Sequence, residues 1–183
     1  MTALDRLVGD TFRLSARRAR ASVSEAALVA FARTIDLPEG PAAVMDCLRR
    51  MGCLVDWWPG ACAIRPLSGG LCQVGDIGLV EARPEDLLLR VLAFRPRRLV
   101  LALAGERSLT VVDLVLRETG AGCELGIRFE RPAPAWPGAE AWAARRLARF
   151  GARAAVRLEW HLRERMRPTD APDPPAIPER TRA

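Results

Sequence analysis

Between Ala61 and Pro132 the chain repeats one pattern, and that pattern leaves few folds open. Six extended, largely apolar segments follow one another: ACAIRPL (61–67), VGDIGLVEAR (74–83), DLLLRVLAF (86–94), RLVLALAG (98–105), SLTVVDLVLRE (108–118) and CELGIRFERP (123–132). Turn-prone breaks separate them, containing SGG, RPED, RPR, GE and TGAG, each short enough for a hairpin. Sequential strands joined this way pair antiparallel, so residues 61–132 are expected to form one meander. Thr110, Val112, Leu114 and Leu116 alternate with Asp113 and Arg117. Cys123, Leu125, Ile127 and Phe129 alternate with Glu124, Arg128 and Glu130. A sheet with one apolar face needs a cover.

The cover follows directly. From Pro137 to about Met166 runs a helical pattern without internal Pro, with Ala143, Leu147, Phe150, Ala154, Leu158 and His161 or Leu162 at three- and four-residue steps. Arg145, Arg149, Arg153 and Arg157 recur at fours and form its charged flank, either a solvated face or a contact for anionic lipid or phosphate. Gly151 interrupts the helical propensity at a cost of about 1 kcal/mol, or lets another group approach closely. Upstream, LVAFARTIDL (28–37) has strand character and ends at LPEGP. Residues 41–51 then form a short helix with Pro near its start and Val44, Cys47, Leu48 and Met51 on one face. The aromatic turn VDWWPG follows.

Three regions result: a basic N-terminal arm or short helix (1–25), a folded body (26–166) and a Pro-rich tail (167–183) whose composition predicts disorder. Net charge is +6, and all 28 basic residues are Arg. Residues 1–20 carry +3 and residues 139–167 carry +5, whereas residues 21–138 sum to −1. An almost neutral body argues against nucleic-acid binding by the core. The Arg-rich ends leave a weak contact with anionic membrane open.

Five cysteines without CxxC spacing predict neither a zinc site nor a disulfide framework, so no metal is assigned. His161 is the only histidine, and no nucleophile is paired with it by spacing, so no catalytic residue is assigned either. Tyr is absent, which thins the supply of catalytic groups further. No stretch is apolar for long enough to span a bilayer and no secretory signal is visible, which predicts a cytoplasmic location.

DLPEGPAAVMDCLRRM, DWWPGACAIRPLSGG, TVVDLVLRETGAGCELGIRFE and AEAWAARRLARFGARAAVRLEWHLRERM stand in an order and spacing that resemble the SRPBCC superfamily, with its START-like helix-grip fold. The resemblance covers roughly residues 26–166. It implies an α+β fold in which a curved antiparallel sheet of about seven strands wraps around a long C-terminal helix. It also implies a cavity between sheet and helix for an apolar small molecule or lipid; no cofactor is assigned.

The residues nominated to line that cavity are Trp58, Ile64, Leu89, Leu114, Ile127, Phe129, Phe150 and Ala154, from the alternating apolar sets and the helix stripe. Trp57 and Trp58 can serve the cavity mouth or simply pack the short helix on the sheet. A non-catalytic binding protein is the first functional reading. A polyketide cyclase or aromatase is an alternative that the family also contains. The VDWWPGACAI turn further resembles the IPGC segment of the membrane-recruiting maturation factor of carbon monoxide dehydrogenase, which would imply a membrane-associated accessory role. The oligomeric state stays open.

Overall fold

The computed structural model describes residues 27–50, 52–68, 73–106 and 108–166. The arm, the tail, Cys72 and the SGG glycines fall outside the described residues. Strand β1 spans Leu28–Leu37, followed by helices α1 (Pro41–Leu48) and α2 (Cys53–Trp57). The meander then runs β2 (Ala61–Pro66), β3 (Ile77–Ala82), β4 (Leu87–Arg95), β5 (Arg98–Ala104), β6 (Leu109–Thr119) and β7 (Gly122–Pro132). Helix α3 closes the order over Ala139–Arg165.

All seven strands form one antiparallel sheet in the order β1-β7-β6-β5-β4-β3-β2. Every neighbour within the meander is sequential, as its short breaks require. The first strand is the exception: β1 pairs with β7 from Leu28 opposite Pro132 to Leu37 opposite Cys123. The α1–α2 segment therefore carries the chain from one edge of the sheet to the other. Register shifts at Ala61/Ala63 and at Val91/Ala93 add local bends. The curved sheet and the long helix make the helix-grip α+β architecture.

The expected helix over 41–51 ends at Leu48 and restarts at Cys53, with Gly52 as the N-cap of α2. Tight backbone bonds from Arg50 N to Cys47 O (3.3 Å) and from Cys53 N to Arg50 O (2.9 Å) turn the chain between them. Strand β3 begins at Ile77 rather than Val74. The preceding residues are drawn into a turn in which Gln73 N donates to Asp76 Oδ2 at 2.7 Å and Ser68 Oγ donates to Asp76 Oδ1 at 3.2 Å.

The alternation seen in the sequence sets the core. Val112, Leu114, Leu116, Cys123, Leu125, Ile127 and Phe129 are all buried, and the α3 stripe of Ala143, Leu147, Ala154, Leu158, His161 and Leu162 lies buried with them. Gly151 marks the close approach of α3 to β1. A Cβ there would stand 2.2 Å from Phe31 Cδ1, so only glycine admits the ring in this position.

Candidate functional site

The space between sheet and helix is divided. Its middle is filled by aromatic rings: Trp58 meets Phe150 edge-on at 4.8 Å, Phe150 meets Phe129 at 5.7 Å, and Phe129 meets Phe31 at 6.2 Å. On the α1–α2 side, the void bounded by Leu48, Leu54, Trp57, Leu89, Leu99, Leu101 and Leu114 measures only about 10 Å³. That is about the size of a single water-sized probe and too small for an organic ligand.

The open space lies beyond Trp58 and Phe150. A cavity of about 750 Å³ is bounded by the Trp58–Gly60 turn, the Ala82–Glu85 corner, Ser108, Thr110 and Arg131 of the sheet, and Trp142, Arg146 and Phe150 of α3. Its volume falls in the range of small-molecule sites. A second space of about 610 Å³ shares Glu85, Ser108, Arg131, Trp142 and Arg146 with it and extends it toward Pro134.

Among the described residues, six arginines line the larger cavity (Arg83, Arg131, Arg145, Arg146, Arg149 and Arg153) against the single carboxylate Glu85. Of the six, Arg131 is half-buried and the other five are exposed. Arg131 Nε donates to Thr110 Oγ1 at 2.6 Å, and the Arg131 guanidinium carbon lies 4.8 Å from the Phe150 ring centroid. Burial pushes the Arg131 pKa below its ordinary value and the neighbouring Arg146 charge pushes it further, while Glu85 opposes both. An arginine so placed remains charged at neutral pH. Arg146 is itself laid over Trp142, at 5.2 Å from its ring.

Glu85 reaches the cavity from the corner between β3 and β4 and accepts a hydrogen bond from Ser108 Oγ at 2.5 Å. Gly105 makes room for it: a Cβ at that position would fall 2.5 Å from the Glu85 carboxyl carbon. The site thus combines an aromatic floor, a largely desolvated guanidinium and a carboxylate held by a hydroxyl.

Of the nominated residues, Trp58 and Phe150 border this cavity. Leu89 and Leu114 border the 10 Å³ void instead. Ile127, Phe129 and Ala154 lie in the packed core, and Ile64 is half-buried against it. The arginines of the α3 flank that were open to a solvated reading divide as well: Arg145, Arg149 and Arg153 border the cavity. Arg131 was not nominated. Carrying the inward alternation two residues past Phe129 reaches it, and Thr110 belongs to the facing inward set.

A second group of reactive side chains gathers near the C-terminal end of α3. Cys47 Sγ lies 3.8 Å from His161 Nε2, and Asp56 Oδ2 lies 3.3 Å from His161 Nδ1. A hydrogen bond from Cys53 draws the Cys47 thiol down to about 7, against burial and with help from Arg165 and Arg50. Cys53 is pushed up by the same bond and by burial. The carboxylate beside His161 thus comes from α2, whereas Glu159 pairs with Arg33 and Arg163.

Fold comparison agrees with this architecture. The structure resembles a START superfamily protein from Mycobacterium smegmatis (TM-score 0.61, 10% identity, 74% of this chain and 97% of the other). It also resembles a protein of unknown function from Staphylococcus aureus (TM-score 0.62, 8% identity, 78% and 98%). A third similar structure is the di-domain ARO/CYC StfQ from the steffimycin biosynthetic pathway (TM-score 0.58, 11% identity), where 75% of this chain covers 51% of that one. The fold is the START-like helix-grip fold. No protein-family model matches the sequence, and no curated protein does. Among the described residues no helix is long and apolar enough to cross a membrane.

Proposed function

We propose that this protein binds an amphipathic small molecule or lipid, non-catalytically, in the cavity between the sheet and α3. The apolar body of the ligand rests on Trp58 and Phe150, and its anionic group meets Arg131 and Arg146. The observation that carries this reading is the Arg131 guanidinium, largely desolvated, stacked on Phe150 and repelled by Arg146 in the wall of a 750 Å³ cavity. Burying one guanidinium beside a second positive charge is costly, and an anion placed between the two relieves both the lost solvation of Arg131 and the repulsion. The START-like and ARO/CYC neighbours support the fold that frames such a cavity.

The test is a fluorescence titration with a long-chain fatty acid and its methyl ester at low and high salt, with anionic vesicles as a separate arm. Tighter binding of the free acid, by tenfold or more and weakening with salt, supports the reading. Equal affinity for acid and ester, or binding of neither, overturns it. Vesicle binding without uptake of the monomeric acid would assign the arginines to a membrane surface.

One observation favours a second reading, a cyclase or aromatase. Glu85, held by Ser108, and Arg131, held by Thr110, bring groups of opposite charge to one cavity, as proton transfer to and from a bound chain requires. Turnover of a poly-β-ketone thioester, abolished by Glu85→Gln while fatty-acid binding persists, would establish it.

A further inference from the structure

The cluster at the end of α3 is separate from the Arg-lined cavity: His161 lies eight residues beyond Arg153, about 12 Å along the helix axis. Three elements that are distant in sequence converge there. Cys47 comes from the last turn of α1, Cys53 opens α2, and His161 projects from the buried stripe of α3. The two Sγ atoms and a His161 ring nitrogen all lie within 4.8 Å of one another. Around a tetrahedral Zn²⁺ two sulfurs are separated by about 3.8 Å and a sulfur and a nitrogen by about 3.5 Å, given Zn–S bonds of about 2.3 Å and Zn–N bonds of about 2.0 Å. The Cys47–His161 distance of 3.8 Å is within about 0.3 Å of the sulfur–nitrogen spacing.

The surroundings fit the same chemistry. Asp56 faces Nδ1 of His161, which favours the proton on that nitrogen and leaves the Nε2 lone pair directed at Cys47. A carboxylate behind a histidine is the usual support of a metal-bound imidazole. His161 and Cys53 are buried and Cys47 is half-buried, so water competes weakly for their donor atoms. A surface cavity of about 700 Å³ bordered by Cys47, Cys53, Asp56 and Arg165 gives an ion a way in. Two sulfurs and one imidazole select a soft or borderline cation over Mg²⁺ or Ca²⁺.

We propose that Cys47, Cys53 and His161 form a three-ligand site for a thiophilic divalent cation of the Zn²⁺ type, with Asp56 orienting the histidine. Binding forms two S–metal bonds and one N–metal bond and releases the two thiol protons to solvent. The fourth position faces the surface cavity. The α1–α2 junction is thereby clamped to α3.

The experiment uses the full chain, reduced, stripped with chelator and titrated with Zn²⁺ and with Co²⁺. One equivalent of Zn²⁺ is expected, raising the unfolding temperature, and the Co²⁺ form should show a thiolate charge-transfer band. Cys47→Ser and Cys53→Ser should each abolish the band and weaken Zn²⁺ binding by at least a hundredfold. Asp56→Asn should weaken it about 10–100-fold. Cys62→Ser, at an exposed thiol bordering the same cavity, should leave it unchanged. If buried Cys53→Ser fails to fold, the half-buried Cys47 and exposed Asp56 variants still decide the matter. Absence of stoichiometric Zn²⁺ in folded, reduced protein overturns the site. So does equal dependence on Cys62, which would mean adventitious thiol binding.

Discussion

The Arg131 guanidinium is stacked over the Phe150 ring, with its central carbon 4.8 Å from the ring centroid. This contact joins β7 to α3 at the point where the packed interior gives way to the cavity. Arg131→Met retains an unbranched chain against Phe150 and removes the charge. Loss of one charge-assisted hydrogen bond costs about 1.5–3 kcal/mol. Affinity for an anionic amphiphile should therefore fall by about 10- to 100-fold, while affinity for its neutral ester is unchanged. Parallel titrations of the two ligands check this, and an equal loss for both would remove the assigned charge contact.

The hydroxyl beneath Arg131 is a stability determinant in its own right. Thr110 is buried, and its Oγ1 accepts from Arg131 Nε. Thr110→Val keeps the shape and leaves a largely desolvated charged donor without that acceptor, at a cost of about 1–3 kcal/mol. Thr110→Ser restores the acceptor and should recover most of the loss. Urea unfolding of the pair separates the hydrogen bond from simple packing.

Phe129 and Phe150 touch each other yet should respond differently. Phe129 is fully buried among the sheet residues, and Phe129→Ala should destabilise the fold by about 3–5 kcal/mol. Phe150 is half-buried at the cavity edge. Phe150→Leu should cost about 1 kcal/mol or less in stability and reduce amphiphile affinity several-fold. Denaturation and titration of the two variants should therefore rank them in opposite order.

Period-two alternation made the sheet legible from the sequence. The inward sets 110–116 and 123–129 are buried throughout β6 and β7. The 3.6-residue stripe did the same for α3. The pairing of β1 with β7 was less accessible, because a long-range contact leaves no mark in local periodicity. The cavity was legible only in part. Apolar alternation identifies residues facing inward but does not say which face a void and which face one another. Trp58 and Phe150 border open space, whereas Ile127 and Phe129 sit in close packing. The alternating sets and the helix stripe supplied only apolar candidates for the lining. The lining charge instead enters from Arg131 at the end of an inward set and from the helix flank. The sulfur–imidazole cluster left the weakest trace: each member occupies a position that an ordinary core residue could fill, and only the fold brings them together.

Gly151 offers the sharpest test of how α3 is seated. Replacing an interior helical glycine with alanine ordinarily stabilises a helix by about 1 kcal/mol. Here the new Cβ would stand 2.2 Å from Phe31 Cδ1 and 2.7 Å from Phe31 Cε1 and Cγ. Phe31 cannot retreat freely, because Phe129 lies behind it at 6.2 Å between ring centroids. Overpacking of this kind costs about 1–3 kcal/mol. The collision outweighs the propensity gain, so Gly151→Ala should lower stability by about 1 kcal/mol. In a Phe31→Leu background the smaller side chain yields, and the same substitution should become neutral or stabilising. The double-mutant cycle, followed by urea unfolding, isolates the contact from the propensity. A stabilising Gly151→Ala in the native background would mean that α3 does not approach β1 this closely.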